Sequence, residues 1–185
     1  TFGLSHDGGT VSPNYYDGHG SWAPIMGRPI DPARPVTQWS RGEYFGANNY
    51  EDDLGIIANG KFGSPGAGLV PDDHGNTAVA PTVVPSNTVA SGVIDSTGDR
   101  DVFAVDVLDG TLSVRLRPPT GQASWSNLAA TVTIRNSLGN VIASGTPSAP
   151  SGWTVDVSRS VLAGRYTIEV QPVGWLTAST GFTTY

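Results

Sequence analysis

The chain has 185 residues, 24 of them glycine, 14 proline and none cysteine, and only 14% are charged against about 25% in an average soluble protein. The absence of cysteine excludes disulfide frameworks, thiolate zinc sites and cysteine nucleophiles, and a net charge of −6 argues against general affinity for nucleic acid or an anionic membrane surface. No apolar run approaches the roughly 20 residues that span a bilayer, while 38% apolar residues suffice for a packed core.

Charge is unevenly placed. Residues 1–75 hold nine carboxylates against four basic groups, and residues 76–185 hold seven against six, which predicts two units with different roles. From Thr1 to about Gln38 no hydrophobic period is sustained, and Gly, Pro and aromatic residues are frequent. Ser40-Arg41-Gly42-Glu43 then has the Ser-x-x-Glu spacing of a capping box and predicts a helix start. Asn48-Asn49 would interrupt it. Glu51-Asp52-Asp53 could open a second short helix, its carboxylates at the positive end and Leu54, Ile57 and Ala58 on its buried face. Residues 59–90 are dominated by Gly, Pro, Ser, Asn and Asp. They place a linker at 61–75, between a first unit at 1–60 and a β-domain at 76–185.

Beyond residue 90 the pattern is β throughout. Phe103, Val105 and Val107 alternate with polar or small residues, and Leu112, Val114 and Leu116 do the same after the Asp109-Gly110 turn. Val132 and Ile134, then Val141-Ile142 after the Leu138-Gly139-Asn140 turn, then Trp153, Val155 and Val157, and last Tyr166, Ile168 and Val170 continue it. Short strands spaced by turn residues predict a mainly β protein: an antiparallel β-sandwich or jelly roll preceded by a short loop-and-helix segment.

Most candidate chemistry has a structural explanation. Asp52-Asp53 and Asp72-Asp73 are adjacent in sequence, and neighbours point apart rather than across a bound sugar. There is no G-x-S-x-G elbow and no phosphate-cradling glycine loop. Asp99 and Asp101 could ligate calcium through oxygen, and a solvated β-turn explains them equally well. Trp125, Trp153 and Trp175 are candidates for stacking on a polymer ligand or for packing inside the sandwich, and Trp125, in the polar run from Gln122 to Asn127, is the best exposed candidate. His19 and His74 sit beside glycine in loop sequence and read as structural.

His6 stands apart because of its neighbours, Gly3-Leu4-Ser5-His6-Asp7-Gly8. The segment resembles the end of the metzincin zinc-protease motif H-E-x-x-H-x-x-G-x-x-H. Thr1 and Phe2 match the two residues before the glycine, Gly3 through His6 match G-x-x-H, and Asp7 follows as in the reprolysin-like branch. Twenty residues beyond His6, Met26 falls in Trp22-Ala23-Pro24-Ile25-Met26-Gly27, where the family has its methionine turn. The resemblance implies that His6 is the third zinc ligand, Gly3 the turn out of the zinc helix, Asp7 an anchor to the methionine turn and Met26 the floor under the metal. It implies a secreted, extracellular bacterial zinc endopeptidase acting on protein or peptide.

Residues from about 76 onward resemble the bacterial pre-peptidase C-terminal domain through Ser91-Gly92-Val93-Ile94, Gly98-Asp99-Arg100-Asp101-Val102-Phe103, Leu138-Gly139-Asn140 and Gly164-Arg165-Tyr166-Thr167. The H-E-x-x-H expected directly before Thr1, with two imidazoles and the general base, is not in the sequence. The expectation is therefore a fragment, inactive alone, whose site a separate N-terminal segment would complete, with a last strand lacking after Ala178–Phe182. The alternative is a non-catalytic extracellular module that binds polysaccharide or protein, or assists secretion, through the β-domain.

Overall fold

Tripeptides such as Trp22-Ala23-Pro24 and Val36-Thr37-Gln38 are too short to show a period, yet they are the strands of the N-terminal region. The computed structural model describes residues 2–34, 36–63, 65–96, 98–118, 128–147 and 153–173, and these divide into two units, residues 2–69 and residues 70–173. In the first unit β1 (Trp22–Pro24) pairs in parallel with β2 (Val36–Gln38), Trp22 opposite Val36 and Pro24 opposite Gln38. The Trp22 indole donates to Gln38 Oε1 at 2.9 Å inside the interior, and Tyr16 stacks on Tyr44 with ring centroids 4.2 Å apart.

The predicted helix at Ser40 does not form. Gly42 has a φ of +74°, which an α-helix excludes, and Glu43 bonds the Arg41 N–H rather than reaching back to Ser40. The second predicted helix is present as α1 (Asp53–Asn59). Asp52 is its N-cap, accepting the Gly55 N–H at 3.0 Å, and Gly60 closes it with a bond to the Ile56 carbonyl. Its fully buried residue is Asp53, whereas Leu54, Ile57 and Ala58 are half-buried.

The second unit is mainly strands. β3 (Thr82–Val83), β4 (Asp101–Val107), β5 (Gly110–Leu116), β6 (Ala130–Arg135), β7 (Val141–Gly145), β8 (Val155–Val161) and β9 (Gly164–Pro172) form a five-stranded sheet in the order β3-β4-β9-β6-β7 and a two-stranded sheet of β5 and β8. All pairs are antiparallel except β3 with β4. The Asp109-Gly110 turn carries the chain from one sheet to the other, since β4 pairs with β9 and β5 with β8.

Period-2 alternation aims the two sheets at each other. Val105, Leu112, Val132, Ile134, Val155 and Val157, from β4, β5, β6 and β8, form one buried cluster. Phe103, Ala130 and Val170 form a second. Trp153 is 5% exposed and belongs to this interior. Among the described residues there is no helix after residue 90, and no helix is long and apolar enough to cross a membrane. Trp125, Trp175 and Ala178–Phe182 lie outside the described residues.

Candidate functional site

The loop carrying Gly3, His6 and Asp7 is fixed from both sides. Gly3 adopts a φ of +76°, a conformation that a residue with a Cβ resists. Ser5 donates its main-chain N–H and its hydroxyl to the Glu51 carboxylate at 2.9 and 3.1 Å, and Lys61 pairs with the same carboxylate. That pairing, with the two bonds from Ser5, holds the Glu51 carboxyl below its ordinary range.

On the other side Asp7 is 1% exposed. Its N–H donates to the Met26 carbonyl at 2.9 Å, and its carboxylate accepts from Ser40 Oγ at 2.8 Å and Asn49 Nδ2 at 3.1 Å. Burial pushes the Asp7 carboxyl up, against the lowering effect of those two donors. Met26 occupies a tight turn that the Gly27 N–H closes onto the Pro24 carbonyl at 3.0 Å, and its side chain is half-buried. With Ser5 and Asp7 both pinned, His6 between them is exposed, its ring 4.5 Å from that of Tyr15.

The same Ser40 links a second buried acid to this framework. Its main-chain N–H donates to Asp53 Oδ2 at 3.2 Å, while Asp53 Oδ1 is buried without a partner among the described residues. Burial, reinforced by the Asp7, Glu51 and Glu43 charges, pushes the Asp53 carboxyl to about 6 against the single bond from Ser40. Ser40 and Glu43 carried a capping-box signal in the sequence. The serine hydroxyl accepts the Gly42 N–H at 3.3 Å and donates to Asp7 at 2.8 Å, the latter a contact across 33 residues that no local pattern encodes.

His6 does not itself belong to an assembled metal centre. Among the described residues, the groups of three or more imidazole or carboxylate ligand atoms lying within 4.8 Å of one another are Asp73-His74-Asp101 and Asp72-Asp99-Asp101. One outward imidazole does not meet the three-ligand requirement of catalytic zinc, so these residues alone do not fit the metal.

Both groups lie in the second unit, and of the two readings open for Asp99 and Asp101, calcium ligation or a solvated turn, burial to 3% and 4% exposure removes the solvated turn. Asp101 is the first residue of β4, and period 2 puts it on the same face as Phe103 and Val105. Burial pushes the Asp101 carboxyl to about 6, the His74 charge opposes this, and the Asp99, Asp73 and Asp72 charges add to it. His74, read from its glycine-flanked sequence as structural, is held by hydrogen bonds and ring packing. Its Nδ1 lies 2.9 Å from Thr82 Oγ1, its Nε2 lies 2.8 Å from the Ser91 carbonyl, and its ring meets Phe103 edge-on. No family model matches this sequence, and no curated protein matches it either.

Proposed function

We propose that residues 1–60 are the methionine-turn part of a metzincin-like zinc endopeptidase, with His6 as one metal ligand, in a secreted protein whose residues 76–185 form an accessory β-domain. The observation that carries this reading is the 2.9 Å bond from the Asp7 N–H to the Met26 carbonyl. It joins the residue after the candidate ligand to the turn that holds the chain's one methionine, through the main chain, while the Asp7 carboxylate accepts from Ser40 and Asn49. Gly3 with its positive φ and the burial of the Asp7 carboxylate behind an exposed His6 support it further.

In this reading Asp7 never touches the imidazole. It fixes the main chain, while Ser5 and Glu51 fix the opposite side of the loop, so that His6 reaches a metal without rearrangement. The remaining ligands and the general base come from a segment outside this sequence, and the substrate is protein or peptide.

Zinc content tests the assignment. After exposure to zinc and dialysis, the chain alone should retain far less than stoichiometric metal. The chain extended by the residues its gene encodes before Thr1 should retain zinc stoichiometrically and lose it in the His6→Ala variant. Stoichiometric zinc on the chain alone, or full retention by His6→Ala in the extended form, contradicts the proposal.

A further inference from the structure

We propose that Asp72, Asp99 and Asp101 form a calcium site that ties the loop at residues 72–76 to the start of β4. The site lies wholly in the second unit and does not depend on the zinc assignment.

Geometry comes first. One carboxylate oxygen from each of the three residues lies within 4.8 Å of the others. Calcium takes oxygen ligands at about 2.3–2.6 Å, so opposite corners of its shell stand about 4.6–5.2 Å apart. Three oxygens held to 4.8 Å already fit within that shell. Magnesium, at about 2.0–2.1 Å and strictly octahedral, needs a tighter arrangement and gives up its waters reluctantly.

The second observation is independent of the clustering. Asp99 and Asp101 are 3% and 4% exposed, and in each the Oδ1 is buried with no hydrogen-bond partner among the described residues. A buried carboxylate oxygen without a donor is strongly unfavourable, and a bound cation is a partner that relieves it. Oxygens of Asp99 and Asp72 are oriented by donors. Asp99 Oδ2 accepts the Asp95 N–H at 2.8 Å, and Asp72 accepts from the His74 N–H at 3.1 Å and from Asn76 Nδ2 at 2.7 Å. Each such oxygen keeps a second lone pair for a metal.

The donor set is oxygen alone, although His74 lies beside it. A carbonyl only accepts, so the 2.8 Å contact with Ser91 requires a hydrogen on His74 Nε2, and that nitrogen cannot ligate, while Nδ1 is engaged by Thr82 Oγ1 at 2.9 Å. His74 therefore braces the loop, and Asp73, whose Oδ1 accepts the Val93 N–H at 3.2 Å, adds negative charge beside the site. All-oxygen donors select a hard cation over zinc. The 91–95 loop runs so close that a Cβ on Gly92 would lie 2.3 Å from Asp101 Oδ2, so glycine is required for the carboxylate to stay in place.

The test is calcium chloride titrated calorimetrically into the full chain after treatment with EDTA. One site per chain is expected, with a Kd in the range of about 10⁻⁵ to 10⁻³ M and magnesium chloride at least about tenfold weaker. Saturating calcium should raise the melting temperature of the second unit by about 5–10 °C. The Asp99→Asn/Asp101→Asn double variant should lose that shift. Asp72→Asn, at an exposed position, should bind calcium at least about tenfold more weakly, while His6→Ala should bind it normally. Absence of both heat and thermal shift in the wild-type chain overturns the proposal, and so does unchanged affinity in Asp72→Asn.

Discussion

Residues 70–173 bury Val105, Leu112, Val132, Ile134, Val155 and Val157 between two sheets, whereas residues 2–69 bury Asp7, Gln38, Ser40 and Asp53 alongside Trp22, Ala23, Val36 and Tyr44. In the aliphatic interior, stability follows from area and fit, and a substitution costs what its lost volume costs. In the polar interior, each group needs a specific partner at a specific distance, and removing one strands another. The loop that carries the exposed His6 is fixed in this polar interior by hydrogen bonds through Asp7, Ser40 and Glu51. In the second unit the exceptions to the aliphatic rule are Asp99 and Asp101, and they mark its candidate site.

The largest effect should come from the aliphatic side. Ile134 is 0% exposed, and Ile134→Ala should lose about 2–5 kcal/mol in chemical denaturation of the second unit, by lost transfer energy plus the cavity left behind. A cost under about 1 kcal/mol would mean the sheets are not packed as described.

Next is the polar side. Ser40→Ala removes the donor to Asp7 Oδ2 and should destabilise the first unit by about 1–3 kcal/mol at neutral pH. The cost should shrink in acid, where a protonated Asp7 no longer needs a charge partner. An equal cost at every pH would remove the ionised Asp7 from the account.

Asp53 gives the pH dependence its sign. Its folded value of about 6 lies above the unfolded carboxylate value of about 3.9. The stability it contributes is therefore full below about pH 4 and is lost as pH rises through about 6, a loss of roughly 2–3 kcal/mol. Asp53→Asn should flatten that slope and raise the denaturation midpoint of the first unit at pH 7 by the equivalent of roughly 1–2 kcal/mol. A steeper slope in the variant would reverse the argument. Smallest is the helix end. Asp52→Ala removes the bond to the Gly55 N–H and should cost about 1 kcal/mol, without altering the pH profile.

The sequence carried the second unit far better than the first, and the reason is physical. Alternation over five or more residues survives in β4, β5, β6, β8 and β9 because each has one face against a common core. β1 and β2 are three residues each, less than two full periods, and their pairing is set by long-range contacts such as Trp22 with Gln38. Asp52 announced α1 by local chemistry, and the capping signal at Ser40 failed because Gly42 takes a positive φ and Glu43 turns to the Arg41 N–H. At the first site the motif pointed to Gly3, His6, Asp7 and Met26, and the structure joins Asp7 to Met26. At the second, Asp99 and Asp101 were visible as a pair. Asp72 was not, because 27 residues separate it from Asp99 and nothing local links them.

The central claim is that His6, Asp7 and Met26 belong to one zinc-protease site, and the codons immediately upstream of Thr1 test it most directly. The account predicts that they read H-E-x-x-H, with the last histidine adjacent to Thr1, which sets Gly3 and His6 at the third and sixth positions after it. Any other residues at those positions would contradict it, and the Asp7–Met26 bond would then be a structural feature of a loop that binds no metal.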